Sequence, residues 1–217
     1  KTNVMLLGPT GSGKTYMVKH LANFLNVPFY TADASSLTAA GYVGKDVDTI
    51  IEGLIDSCQE NFEAAGTGII FIDEFDKIAK KATRSSKDVG GESVQQGLLK
   101  LIEGTEVTIE RATGLTKTKI QIDTSNILFI VGGAFVGIED IIANRKKINV
   151  QTTVGFNSVK SEEIDKSGLL QYTTTDDIEE FGFIPELIGR LPLIATLNDL
   201  TEEDLYNILT DVENNQV

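Results

Sequence analysis

Gly8-Pro9-Thr10-Gly11-Ser12-Gly13-Lys14-Thr15 is the stretch on which the fold of this chain turns. It satisfies G-x-x-x-x-G-K-[ST] at every fixed position, the pattern of a phosphate-binding loop. Glycines at this spacing let the backbone curl until successive N–H groups converge on phosphate oxygens. A helix opening at Lys14 adds its positive dipole end to the same anion. In such a loop Lys14 reaches the β- and γ-phosphates and the Thr15 hydroxyl ligates magnesium, so all of Gly8 to Thr15 is a candidate nucleotide site. A chance glycine turn would lack the flanks seen here: an apolar run at Asn3–Leu7 that predicts a strand, and a segment at Lys14–Leu25 that predicts a helix.

The next informative stretch is Ile69-Ile70-Phe71-Ile72-Asp73-Glu74, a continuously apolar run ending in two carboxylates. Continuous apolarity is the mark of a strand buried on both faces. Asp73, at the strand end, can hold magnesium through water, and Glu74 is then placed to accept a proton from a water attacking the γ-phosphate. Taken alone, such a pair also serves as the acidic first turn of a helix; the upstream phosphate loop favours the chemical reading.

Outward from these two points, apolar runs alternate with amphipathic segments. Strands are predicted at Asn3–Leu7, Pro28–Thr31, Gly68–Ile72 and Asn126–Val131, and helices at Lys14–Leu25, Val47–Glu63 and Gln95–Glu103. The order β-α-β-α-β-α-β predicts an α/β fold, a parallel sheet flanked by helices. Lys80–Gly91 and Ile148–Gly168 are polar and aperiodic and predict loops. Thr201-Glu202-Glu203-Asp204 has the form of a helix cap opening a terminal helix over Thr201–Val212.

Composition narrows the function class. The chain has 217 residues, 41% of them hydrophobic, enough to build a core without disulfide or metal staples. Its single cysteine, Cys58, reads as a reduced helix residue, and His20 as a solvent-facing residue of the loop helix. A formal net charge of −13 disfavours a general nucleic-acid-binding face. No apolar run approaches the roughly 20 residues of a membrane-spanning helix, so a cytoplasmic protein is expected (mitochondrial matrix if eukaryotic). The chain begins at Lys1 and runs straight into a strand, which reads as a piece cut from a longer protein.

The phosphate loop, the Asp73-Glu74 strand and the segment Ile184-Pro185-Glu186-Leu187-Ile188-Gly189-Arg190-Leu191-Pro192 together resemble the AAA+ ATPases. Three further stretches resemble the ClpX-type unfoldases of that superfamily: Ala39–Gly44, Glu92–Gly104 and Ile127–Phe135. The resemblance covers nearly the whole chain, so 1–217 is expected to be a large AAA+ α/β nucleotide-binding subdomain. It implies ATP and Mg2+ as cofactors, a homohexameric ring, protein substrates pulled through a central pore, and delivery to a ClpP-like peptidase. It further implies that Arg190 acts as an arginine finger in the site of the neighbouring subunit. The loop Gly41, Tyr42, Val43, Gly44 would grip polypeptide, with a second pore loop at Lys87–Glu92. Val154, Gly155 and Phe156 match the peptidase-docking tripeptide, valine standing for isoleucine.

Some family features have no counterpart here: an N-terminal zinc-binding segment, residues ahead of the first strand that would build the adenine pocket, and the C-terminal small subdomain with its sensor arginine. A fragment of this kind is expected to be a poor ATPase and mainly monomeric. Between Glu103 and Asp123, Thr113–Lys119 replaces the family's basic loop, and Gly132-Gly133 stand where a polar sensor is expected. The alternatives are an HslU-type unfoldase, a P-loop small-molecule kinase, which Val27–Asp33 also resembles, and a non-hydrolysing ATP-binding scaffold. The kinase would need neither Glu74 nor Arg190; a large insertion after Asp73-Glu74 would mark HslU.

Overall fold

In the computed structural model, which describes residues 1–37, 47–58, 61–80, 89–113, 116–146 and 168–211, the apolar runs are strands covered by helices. β1 (Val4–Leu7) leads through the glycine loop into α1 (Lys14–Leu25), followed by β2 (Phe29–Asp33), α2 (Thr49–Ser57), α3 (Phe62–Ala65) and β3 (Ile69–Asp73). Next come α4 (Val89–Glu103), β4 (Glu106–Thr113), β5 (Thr116–Asp123), β6 (Leu128–Gly133) and α5 (Ile138–Arg145). The chain continues through α6 (Thr175–Phe181), α7 (Pro185–Ile188) and β7 (Leu193–Thr196) to α8 (Glu202–Asp211). The main sheet has the order β2-β3-β6-β1-β7 with every neighbouring pair parallel. This is the parallel α/β fold predicted from the sequence.

Side chains alternate between the two faces of the sheet, as the strand period requires. On one face Leu6, Ile69, Phe71 and Ile130 pack with Val18 and Ala22 of α1. Val18 and Ala22 are four residues apart, on one helical face. On the other, Met5, Leu7, Ile70, Ile72, Phe129 and Val131 meet α2, α4 and α5 through Leu54, Leu98 and Ile142. Fully burying one such side chain contributes about 1.5–3 kcal/mol, so this larger second face holds most of the core. α1 stops at Asn26, whose left-handed backbone (φ 52°) returns its N–H to Ala22 and Asn23 carbonyls.

Four features differ from the periodicity-based expectation. The helix predicted over Val47–Glu63 is broken: α2 ends with Cys58 at its cap, and Asn61 caps α3 by accepting from the Ala64 N–H at 3.2 Å. Asparagine satisfies a first-turn amide better than it extends a helix. α4 begins at Val89, inside the predicted loop Lys80–Gly91, because Val94, Leu98 and Leu101 bury its face and outweigh the low propensity of Gly90-Gly91. The stretch between Glu103 and Asp123 is an antiparallel hairpin, β4 with β5. Its period-2 signal is visible in Val107 and Ile109 facing Ile122 and Ile120. Finally, β7 adds a fifth strand at the sheet edge, pairing Val4 with Leu193 and Leu7 with Thr196. The predicted terminal helix is present as α8, and Thr201 and Asp204 exchange the cap bonds: Thr201 N to Asp204 Oδ2 at 2.9 Å, Asp204 N to Thr201 Oγ1 at 3.1 Å.

Candidate nucleotide site

The site forms where parallel strands end. In an open α/β sheet, ligands sit beyond the carboxyl ends of the strands, at the point where connections diverge. Here β1 leaves Leu7 level with Gly133 of β6, and the Gly8 N–H donates to the Gly133 carbonyl at 3.2 Å. Asp73 ends β3 on the other side of β6. The loop after β1 and the carboxylates after β3 therefore face one cleft of about 460 Å³, lined by Thr10, Gly11, Gly13, Lys14, Thr15, Asp73 and Glu74 among others.

Gly11 and Gly13 have φ of 85° and 84°, in the left-handed region where a side chain would strain the backbone. Lys14 is almost fully buried. Its ammonium donates to the Gly8 carbonyl at 2.7 Å and the Pro9 carbonyl at 2.8 Å, with Ser12 Oγ at 3.5 Å. Burial lowers its pKa, and the carboxylates of Asp73 and Asp76 only partly offset this. A phosphate anion would supply the counter-charge this ammonium lacks.

The Thr15 hydroxyl donates to Asp73 Oδ2 at 2.9 Å, while Asp73 Oδ1 accepts the Glu74 N–H at 2.8 Å. A hydroxyl and a carboxylate at that separation are the hard oxygen donors that magnesium takes. Glu74 is exposed and its backbone is left-handed (φ 53°, ψ 32°). A non-glycine residue in that region costs about 1–2 kcal/mol. The conformation follows from its neighbours: Phe75 is fully buried and stacks on Phe183 at 4.9 Å, which turns Glu74 outward beside the cleft.

One acidic lining residue, Asp76, escaped the sequence reading. Asp76 accepts the Ala134 N–H at 3.2 Å through Oδ1 and pairs with Lys77 at 3.2 Å through Oδ2. Its signal is the spacing Asp73-x-x-Asp76 directly after the apolar strand. Asp76 also explains the glycine where a polar sensor was expected: a Cβ on Gly133 would lie 2.5 Å from Asp76 Oδ1. A second cavity of about 640 Å³ shares Thr10 and Ala134 with the first and is walled by Val136, Leu170 and Leu197.

The structure thus brings Gly8–Thr15, Asp73 and Glu74 together. It places Arg190 elsewhere: Arg190 does not line this cleft, and its Nε and Nη2 donate to Glu103 Oε1 at 3.0 and 2.9 Å. Gly41–Gly44 and Val154–Phe156 lie outside the described residues, as do Lys87 and Asp88 of the second predicted pore loop. Val89–Glu92 form the first turn of α4.

Comparison with known proteins places this geometry in a family. The chain is 48% identical over 221 residues to the "ATP-dependent Clp protease ATP-binding subunit ClpX" of Treponema denticola, covering 99% of this chain and 52% of that protein. The protein of the same name from Borrelia duttonii is 48% identical over 222 residues (100% and 51%), and that from Bacteroides fragilis 46% over 220 (99% and 52%). The chain spans about half the length of these curated relatives. The model of the AAA domain (Cdc48 subfamily) matches residues 1–194, a span that includes β1, the phosphate loop, Asp73-Glu74 and Arg190. The chain belongs to the AAA domain family, Cdc48 subfamily.

Proposed function

We propose that this chain is the nucleotide-hydrolysing part of a ClpX-type, ATP-dependent protein unfoldase. The observation that carries the reading is the cleft in which Thr15 and Asp73 are bonded at 2.9 Å with Glu74 directly beside them. The loop amides and Lys14 hold the phosphates, Lys14 exchanging its two carbonyl partners for phosphate oxygens. Thr15 and Asp73 hold magnesium, which neutralises phosphate charge when bound. Glu74 orients a water and takes its proton as the water oxygen attacks the γ-phosphorus and ADP departs. The second cavity, which shares Thr10 and Ala134 with the first, offers Val136, Leu170 and Leu197 as an apolar wall for a purine base.

Arg190 lies off its own cleft on an exposed surface, which suits service to a neighbouring subunit in a homohexamer. Large apolar side chains that α1 and α8 leave exposed, among them Phe24 (86%), Tyr206 and Leu209, are candidates for contact with neighbouring subunits. Tyr42 would grip protein substrates and Val154–Phe156 would dock a ClpP-like peptidase. This reading rests on the family resemblance and on the name the relatives carry, which favours it over an HslU-type unfoldase or a small-molecule kinase. A cytoplasmic location fits the described residues, among which no helix is long and apolar enough to cross a membrane.

The test is steady-state ATPase of the full-length protein against Glu74→Gln. Retained ATP binding with most turnover lost is expected. Turnover that survives the change, or phosphate transfer to an added metabolite without hydrolysis, would remove the motor assignment.

A further inference from the structure

α4 carries a polar side chain that the phosphate chemistry does not use. Gln95 is fully buried, and its amide is bonded to backbone from two segments far apart in sequence. Nε2 donates to the Ile78 carbonyl at 2.8 Å and to the Gly182 carbonyl at 3.2 Å, and Oε1 accepts the Ile184 N–H at 2.9 Å. Only one amide orientation serves two carbonyls and one N–H, so the pattern is unambiguous. Ile78 closes the short turn that opens at Glu74. Gly182 and Ile184 head the arm that runs through α7 to Arg190. The arm meets the same segment again where Lys80 N–H donates to the Gly182 carbonyl at 2.9 Å.

The far end of the arm touches the same helix. Glu103, two turns further along α4 and about 12 Å away, accepts both bonds from Arg190 on the exposed surface, so the buried contact at Gln95 is the one that fixes the arm. A methionine or leucine at position 95 would fill the volume but would leave the buried Ile78 carbonyl and the part-buried Ile184 N–H without these partners. Packing alone therefore does not account for an amide here.

We propose that Gln95 is a positioning residue for Arg190: it holds the Arg190 arm in register with the turn that bears Glu74. Each subunit then presents its guanidinium to the neighbouring site in a position set by its own Glu74 turn. The inference rests on the roles given above to Glu74 and Arg190, and its test separates the two.

The experiment measures ATP turnover and nucleotide affinity in the full-length protein for Gln95→Met, Arg190→Ala and the double variant. Leu98→Ala, a buried change one turn along α4, serves as the control for lost stability. Gln95→Met is expected to lower kcat about tenfold or more with nucleotide affinity unchanged. That loss should vanish in the Arg190→Ala background, because residues acting as one unit are not additive. Leu98→Ala should give no comparable fall in kcat at matched stability. If the Gln95→Met and Arg190→Ala losses multiply, or if Leu98→Ala reproduces the effect, the positioning role is wrong. If Arg190→Ala itself leaves turnover intact, the finger reading is what fails. Should Gln95→Met not fold, Gln95→Glu is used: it keeps the shape and the acceptor for Ile184 but faces Ile78 and Gly182 with oxygen, and the same non-additivity is required of it.

Discussion

Two arginines of this chain each hold a carboxylate, in opposite settings. Arg145 donates through Nε and Nη2 to Asp177 at 2.7 and 2.9 Å, and the Asp177 side chain is 1% exposed. Asp177 also accepts from the backbone and hydroxyl of Thr174 at 2.8 and 2.9 Å, as the third residue of the capping box that opens α6. Arg190 instead shares a single oxygen of Glu103, with the two side chains 56% and 42% exposed. The same chemistry thus gives a lock in one place and a movable contact in the other. A carboxylate cut off from water cannot lose its partner without a large cost, whereas exposed partners exchange for water almost freely.

The sharpest way to break this comparison is through function. In the full-length assembly Arg190→Ala is expected to lower ATP turnover on the order of 10³-fold, the worth of an arginine finger, while nucleotide binding persists. Undiminished turnover would leave Arg190 as an ordinary surface residue. The structural pair is tested through its buried member: Asp177→Ala, which removes the acceptor for Arg145 and opens the α6 cap, should destabilise the fold by about 2 kcal/mol in urea unfolding. A loss under about 1 kcal/mol would place this pair in the same class as the exposed one.

Acid sharpens the contrast. Burial alone pushes the Asp177 carboxyl up, but the bonds from Arg145 and Thr174 outweigh it and the pKa is lowered. A depressed carboxylate pKa means its stabilisation is fully present above the unfolded value near 4 and is lost as pH falls through the lower folded value. Thermal melts should therefore show a stability loss below about pH 4 that is weaker in Asp177→Asn. Equal acid slopes in both proteins would assign that loss to other groups. The smallest effect belongs to the exposed pair: Glu103→Gln should change stability by less than about 1 kcal/mol. A larger cost would mean that Arg190 is anchored structurally.

How far the sequence carried can be seen residue by residue. α1 was legible at both boundaries, because its glycine-rich entry and its amphipathic spacing are local. Asp73 and Glu74 were legible because a fully apolar strand must end where water begins. The β4–β5 hairpin was present as alternating Val107, Ile109, Ile120 and Ile122, yet the exposed polar residues between them, Glu106, Thr108, Glu110, Lys119 and Gln121, hid the pattern. Asp76 was missed because only its contact with the Ala134 N–H distinguishes it from a surface acid. β7 was missed because four residues at a sheet edge have little signal of their own; pairing with β1 makes them a strand.

By itself, the sequence determined the phosphate-loop pattern, the order of the first strands and helices around it, and the placing of two carboxylates, Asp73 and Glu74, at the end of a buried strand. These depend on backbone geometry and short-range burial, which neighbouring residues encode. Only the tertiary structure decided the strand order β2-β3-β6-β1-β7, the turning of Glu74 outward by a buried Phe75, and the joining of Ile78 and Ile184 through Gln95. Those follow from contacts between segments dozens of residues apart, and such contacts exist only once the core between them has closed.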